Sequence, residues 1–135
     1  MLRLVFLLII ATTSQAMASL DCDAAAARWV EITPTKVEES LGQPMSAAVK
    51  EVGNRWGLAT SSYIGASLVF ENGKQDVETA EALSLTDTLI DCWQPEMESG
   101  PAKAQEMVAK FDSLFPPERR SSLRNAAAAI MKSEN

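Results

Sequence analysis

The chain has 135 residues, two cysteines, no histidine and a formal net charge of −6 at pH 7. A chain of this length is expected to form one domain with a single hydrophobic core. Its acidity argues against nucleic acids and anionic membranes as partners, because binding to either relies on clustered lysine and arginine side chains.

The N-terminal residues 1–18 have the pattern of a secretory signal peptide. Arg3 is the only charge in this segment, residues 4–11 are apolar, and Ala16-Met17-Ala18 offers the small residues that a signal peptidase accepts. The apolar run is too short to remain as a membrane anchor. The sequence therefore predicts cleavage after Ala18, a helical domain over residues 19–135, a periplasmic or secreted location, and no membrane insertion after cleavage.

Cys22 and Cys92 are the two cysteines of the chain. In an oxidising compartment an even pair is typical of one disulfide bond, and two buried free thiols are the alternative. A redox centre would need the cysteines close together, as in a Cys-x-x-Cys motif, and these are far apart in sequence. We expect a structural disulfide that ties the first helix to the end of a later one.

The stretch Met45–Phe70 is predicted to be the long central helix. Its large or apolar residues recur at alternating steps of four and three, which places them on one helical face. A second face carries small residues at Gly53, Gly57 and Gly65. Each glycine costs a helix about 1 kcal/mol relative to alanine, so we expect another helix to pack closely against these three. The residues of the apolar face are Met45, Val49, Val52, Trp56, Ala59, Tyr63, Ala66 and Phe70.

The flanking segments also have helical spacing. Asp76 is expected to cap a helix over residues 77–93, in which Ser84 could mark a break because it resembles the start of a capping box. Pro101 and Pro117 are each expected to open a further helix. Strand-like alternation of useful length is absent from the sequence. The predicted fold is an all-α bundle of five or six helices around one long central helix, with one disulfide.

Residues 94–101, which include two prolines and a glycine, are the clearest predicted loop. An exposed tryptophan beside acids and a methionine is typical of an interface anchor, whereas packing of Trp93 on the adjacent disulfide is the alternative. Both interpretations stay open from the sequence. If the loop binds a partner, the expected contact residues are Trp93, Glu96, Met97 and Glu98.

Catalytic chemistry is not indicated by any motif in the chain. Without histidine, a serine or cysteine nucleophile lacks its usual base. Asp87 and Asp91 lie one helical turn apart, as a catalytic carboxylate pair could, but this spacing is common on solvated helix faces. The acidic residues do not follow the pattern of a calcium-binding loop. We therefore expect a protein that is not an enzyme and that uses no metal and no cofactor.

Three motifs carry a resemblance to a known family. They are Ser62-Tyr63-Ile64-Gly65-Ala66, Cys92-Trp93-Gln94-Pro95, and the C-terminal stretch 104–129 with Pro117-Glu118-Arg119. Together they resemble the Rap/Tai-type immunity proteins of bacterial type VI secretion, which are small, exported and helical. The resemblance implies a periplasmic protein that binds and blocks a toxic effector, often a cell-wall amidase.

The layout of the cysteines resembles a second family, the HdeA-type acid-stress chaperones. These are exported helical proteins in which one disulfide joins an early helix to a later one. That resemblance implies a periplasmic chaperone active at low pH. An unassigned periplasmic structural or interaction protein is the third interpretation. All three imply a protein partner, and a homodimer is compatible with each of them.

Overall fold

The computed structural model describes residues 22–133, except for the surroundings of Val52 and Gly53. The predicted signal peptide and its cleavage site lie outside the described residues. Within residues 22–133 there is no strand, and none of the helices is both long and apolar enough to cross a membrane. The helices are α1 (22–32), α2 (Thr35–Leu41), α3 (Met45–Ala48), α4 (Val52–Glu71), α5 (Val77–Glu98), α6 (Ala102–Leu114) and α7 (Pro117–Ser133).

The predicted all-α bundle with a long central helix and one disulfide is confirmed, with seven helices among residues 22–133 instead of five or six. The prediction that the stretch Met45–Phe70 provides the central helix is wrong. Helix α5 lies at the centre, because it packs against α4, α6 and α7. Helices α4 and α5 form an antiparallel pair, in which Arg55 near the start of α4 binds Glu96 near the end of α5. Asp76 caps α5 as expected, since its Oδ1 accepts a hydrogen bond from the backbone N–H of Thr79 at 2.9 Å.

The predicted helix Met45–Phe70 is interrupted once. Helix α3 ends at Ala48, and Glu51 takes an extended conformation (φ −90°, ψ 113°) before α4 begins. Valine and glycine are weak helix formers, and this segment contains Val49, Val52 and Gly53, so the helix is intrinsically weak here. Helix α4 is consequently about 30 Å long. The apolar face was predicted correctly for its largest members, since Met45, Trp56, Tyr63 and Phe70 are buried.

Aromatic side chains from α4 and α6 form the middle of the core. Tyr63 meets Phe111 and Phe115 edge-on, with ring centroids 5.9 Å and 5.0 Å apart, and Trp56 meets Phe111 at 6.0 Å. Such pairs each contribute about 0.5–1.5 kcal/mol beyond the burial of their area. These contacts place α6 on the face of α4 that carries Trp56 and Tyr63. The opposite face of α4 is not covered by α6.

The disulfide Cys22–Cys92 is formed, with the two Cα atoms 6.1 Å apart. Trp29 of α1 packs on Trp93 of α5, with ring centroids 6.0 Å apart. Arg28, which lies between Cys22 and Trp29 in α1, donates two hydrogen bonds to Glu81. The disulfide therefore joins α1 to the end of α5, as predicted, and α1 runs antiparallel along that helix.

Candidate functional site

Most of the predicted partner-binding loop, residues 94–101, is in fact the last turn of α5, and only residues 99–101 form a connection. Residues 94–98 are helical, with Pro95 inside the helix, and no break occurs at Ser84. Trp93 is 8% exposed and Met97 is 5% exposed, so both belong to the core. Proline normally disfavours a helix interior. Here the burial of two large side chains spaced four residues apart on one helical face favours the additional turn.

Trp93 is therefore not an interface anchor, which corrects one of the two interpretations of the sequence. Its ring packs on Trp29, and the guanidinium of Arg55 lies 5.1 Å from the ring centroid. Glu96 and Glu98 remain exposed, but Glu96 binds Arg55 and Glu98 accepts a hydrogen bond from Gln94. Without an exposed apolar side chain between them, these two carboxylates lack the anchor that the predicted contact surface required.

The expected close helix contact along the glycine face of α4 is also wrong for the two glycines whose surroundings are described. A Cβ atom built on Gly57 or Gly65 would meet no other atom within 4 Å. The surroundings of Gly53 are not among those that the structure describes. The reason is that α4 buries the face that carries Trp56 and Tyr63, against which α6 packs, and this leaves Gly57 and Gly65 open.

Replacing Gly57 by alanine is expected to raise the free energy of unfolding by about 1 kcal/mol. The helix gains propensity, and the added methyl group meets open space. Gly42 provides a matched control, since a Cβ there also meets open space but φ is +71°, so Gly42→Ala should be destabilising by about 1 kcal/mol. Urea unfolding of both variants measures this. A loss of stability in Gly57→Ala would mean that another helix does cover the glycine face.

An open groove of about 490 Å³ lies between α1, α4 and the beginning of α5. Its floor is the side of α4 that carries Gly65, and exposed Val69 lies beside it. A smaller depression of about 150 Å³ continues the groove over the α1–α2 corner and adds the exposed side chain of Val37. We call the whole the α4 groove; its main apolar and small lining residues are Ile32, Pro34, Val37, Leu58, Gly65, Ala66, Val69 and Ala82.

The charged residues at the α4 groove are predominantly acidic. Arg28, Glu78 and Glu81 line it directly. The guanidinium of Arg28 donates to Glu81 over 2.9 Å and 3.1 Å and lies 3.3 Å from Glu31. These hydrogen bonds to Glu81, followed by its charge, raise the pKa of Arg28. Two carboxylates thus line the groove beside one guanidinium, which is already engaged by one of them, Glu81, and by Glu31 next to the groove.

A buried ion cluster joins α5 to α7. Asp87 is 4% exposed and binds two arginines. Its Oδ1 lies 2.7 Å from Arg120 Nη2, and its Oδ2 lies 2.6 Å from Arg124 Nε. Arg120 also donates to the Asp87 backbone carbonyl at 3.0 Å and to Asp91 at 2.9 Å. The sequence predicts Asp87 and Asp91 as a solvated pair, and this is wrong for Asp87, whose partners lie 33 and 37 residues away.

The charges of the cluster reinforce one another. Burial lowers the pKa of Arg120, but the charges of Asp87 and Asp91 outweigh burial, and the net result is a raised pKa. The hydrogen bond to Asp87 raises the pKa of Arg124. Beside the cluster, burial and then the charge of Asp87 raise the pKa of Tyr63 to about 12. The cluster has the geometry of a structural clamp between α5 and α7, because every carboxylate oxygen of Asp87 is engaged by an arginine.

The raised pKa of Tyr63 predicts a loss of stability at alkaline pH. The unfolded chain releases the phenol proton near pH 10, whereas the folded protein keeps it until about pH 12. The unfolded state therefore binds fewer protons in this window, and the free energy of unfolding should fall by about 2 kcal/mol as the pH rises through it. Because Tyr63 is the single tyrosine of the chain, its ionisation can be followed directly by tyrosinate absorbance.

Tyr63→Phe is the control for that titration. The Tyr63 hydroxyl is buried without a hydrogen-bond partner, so its removal should not lower the stability near neutral pH and should raise it by up to about 1 kcal/mol. The variant should also lack the additional loss of stability between about pH 10 and pH 12. An ordinary phenol pKa in the folded protein would contradict the described burial of this side chain.

Within residues 22–133 no group of three or more cysteine, aspartate or glutamate side chains is arranged to hold a metal ion. Comparison of the chain with family models, with curated proteins and with solved structures finds no match. The groove and the ion cluster therefore have to be interpreted from their own geometry. Sequence reasoning missed both, although the concentration of Arg119, Arg120 and Arg124 near the C-terminus was visible in the sequence.

Proposed function

We propose that the protein is an exported, periplasmic protein-binding module that blocks a partner by occlusion, as an immunity protein blocks a secreted cell-wall-degrading effector. The observation that carries this proposal is the α4 groove, an open apolar surface of the bundle. Val69 is exposed within it, and Gly65 leaves room for a partner to approach the helix backbone. Concave and partly apolar surfaces of this volume are typical of binding sites.

Further observations support the exported location and the mode of action. The signal-peptide pattern of residues 1–18 predicts export, and the Cys22–Cys92 disulfide is compatible with an oxidising compartment. The sequence resemblance to Rap/Tai-type immunity proteins implies the same compartment and inhibition by binding. A rigid surface built on three helices suits this role, because little conformational entropy is lost when a preformed groove is filled.

The test is inhibition of a secreted effector of the producing cell by the purified protein. Val69→Gln replaces an apolar side chain of the groove by a neutral polar one, and Leu114→Gln makes the same kind of change at an exposed leucine of α6 outside the groove. Both variants should stay folded, because both side chains are exposed. We expect Val69→Gln to weaken binding and inhibition about tenfold and Leu114→Gln to preserve them. Equal inhibition by both variants, or unaltered fitness of a deletion strain in mixed culture, would contradict the proposal.

A second candidate function is an acid-activated chaperone, and the buried cluster around Asp87 favours it. Arg120 and Arg124 of α7 share this one buried counter-ion on α5, so loss of the ion cluster would let α7 separate from α5 and expose apolar surface. Suppression of the aggregation of a test protein at about pH 2 but not at pH 7 would support the chaperone. Inhibition of an effector at pH 7 without such suppression would support the immunity function.

A further inference from the structure

The charges around the α4 groove point to the chemistry of its occupant: we infer that the groove receives a basic amphipathic helix of the partner protein. This inference rests on the proposed function, since it specifies what enters the same groove. The apolar side chains of the helix would lie over Gly65 and Val69, and its lysine or arginine side chains would reach Glu78 and Glu81.

The mode of binding follows from the secondary structure around the groove. Every element that lines it is a helix or a turn between helices, and residues 22–133 offer no strand edge to which an extended peptide could add. Recognition must therefore rely on side chains, and an amphipathic helix presents a continuous apolar face to a groove of this kind. The open space at Gly65 allows such a helix to approach the α4 backbone closely.

The expected sign of the charge on the occupant follows from the ion pairs between α1 and α5. Arg28 is held by Glu81 and Glu31, whereas Glu78 stands exposed at the start of α5 on the same groove. Among the lining residues two carboxylates stand against one guanidinium, and Glu78 is the carboxylate that Arg28 does not engage, so a cationic ligand is complementary. A second copy of this chain would bring the same excess of carboxylates to the interface, and like charges would oppose that pairing.

The experiment measures fluorescence anisotropy of two labelled helical peptides with the same leucine face. One carries lysine on its polar face and the other carries glutamate. We expect the lysine peptide to bind the wild-type protein and the glutamate peptide to bind at least about tenfold more weakly. Glu78→Lys should weaken binding of the lysine peptide about tenfold.

Two matched controls separate the groove from the general acidity of the protein. Glu118→Lys changes the net charge equally and, like Glu78→Lys, alters an exposed glutamate in the first turn of a helix. Gly65→Leu places a large side chain in the open space within the groove. Gly57→Leu, its control, places the same side chain in open space on α4 outside the groove. We expect Gly65→Leu to weaken binding about tenfold, and the two control variants to change it by less than about twofold.

Three results would overturn the inference: equal binding of both peptides, no binding of the lysine peptide, or equal weakening by Glu78→Lys and Glu118→Lys. These outcomes are distinguishable from failure of the proposed function. If inhibition of an effector depends on Val69 but is unchanged by Glu78→Lys, the groove still binds a partner and only its basic character is refuted. If neither substitution alters inhibition, the groove itself is not the binding site.

Discussion

Replacing Asp87 by asparagine is expected to lower the free energy of unfolding by about 3–5 kcal/mol. The substitution keeps the shape of the side chain but removes the charge that Arg120 and Arg124 share. Arg120 is itself buried, so it would be left with the partly solvated Asp91 as its carboxylate partner. Breaking a buried ion pair by removing one member is costly, because the remaining charge stays desolvated. Urea unfolding at pH 7 provides the measurement.

Asp91→Asn is the matched control for this prediction. Asp91 binds the same arginine over a similar distance, but its side chain is 59% exposed, so its loss should cost less than about 1 kcal/mol. A second variant tests the cause. In Asp87→Leu/Arg120→Met no buried charge remains unpaired, so the double variant should be more stable than Asp87→Asn. Equal losses of unfolding free energy for Asp87→Asn and Asp91→Asn would show that burial of the Asp87 charge does not increase the cost of removing it.

Replacing both Cys22 and Cys92 by serine is expected to cost about 4 kcal/mol of stability. The disulfide joins residues 70 positions apart, and closing so long a loop removes much of the conformational freedom of the unfolded chain. It also holds α1 on the surface of α5, where Trp29 covers Trp93. We expect a lower midpoint of urea unfolding for the variant and a change in tryptophan fluorescence.

The wild-type protein treated with a thiol reductant is the control for the disulfide. It has the same side chains as the native protein except at the bridge, and it should unfold at the same urea concentration as the double variant. Both should remain helical, because the packing of α5 against α4 and α7 does not involve the bridge. A difference below about 1 kcal/mol between the bridged and reduced proteins would indicate that α1 is held by its other contacts.

The sequence alone was sufficient for those features that depend on local spacing. The steps of three and four that bring Trp56, Tyr63 and Phe70 onto one face predicted a buried helix, and these residues are buried. Asp76 was identified as a cap because its side chain can reach a backbone N–H only three residues away. The disulfide followed from an even number of cysteines together with a predicted oxidising compartment.

The candidate site could not be predicted in the same way, because its residues come together only through packing. Periodicity identifies an apolar face but not the helix that covers it, so the glycine face around Gly57 and Gly65 was assigned a neighbour that it does not have. Likewise, the proline-rich segment after Trp93 had the composition of a loop. It remained helical because the core accepts Trp93 and Met97 from the same face.

The sequence-based prediction and the tertiary structure differ most in the burial of charged residues. Asp87 and Asp91 have the spacing of any solvated helix face, and their different burial depends on α7 packing across α5. The sequence determined that the protein is helical, acidic and bridged by one disulfide, since these follow from composition and short-range spacing. Only the tertiary structure decided that Asp87 is bound by both Arg120 and Arg124. The ion pairs affect stability because Asp87 and Arg120 are buried, and this burial arises where α5 and α7, which are distant in sequence, pack together.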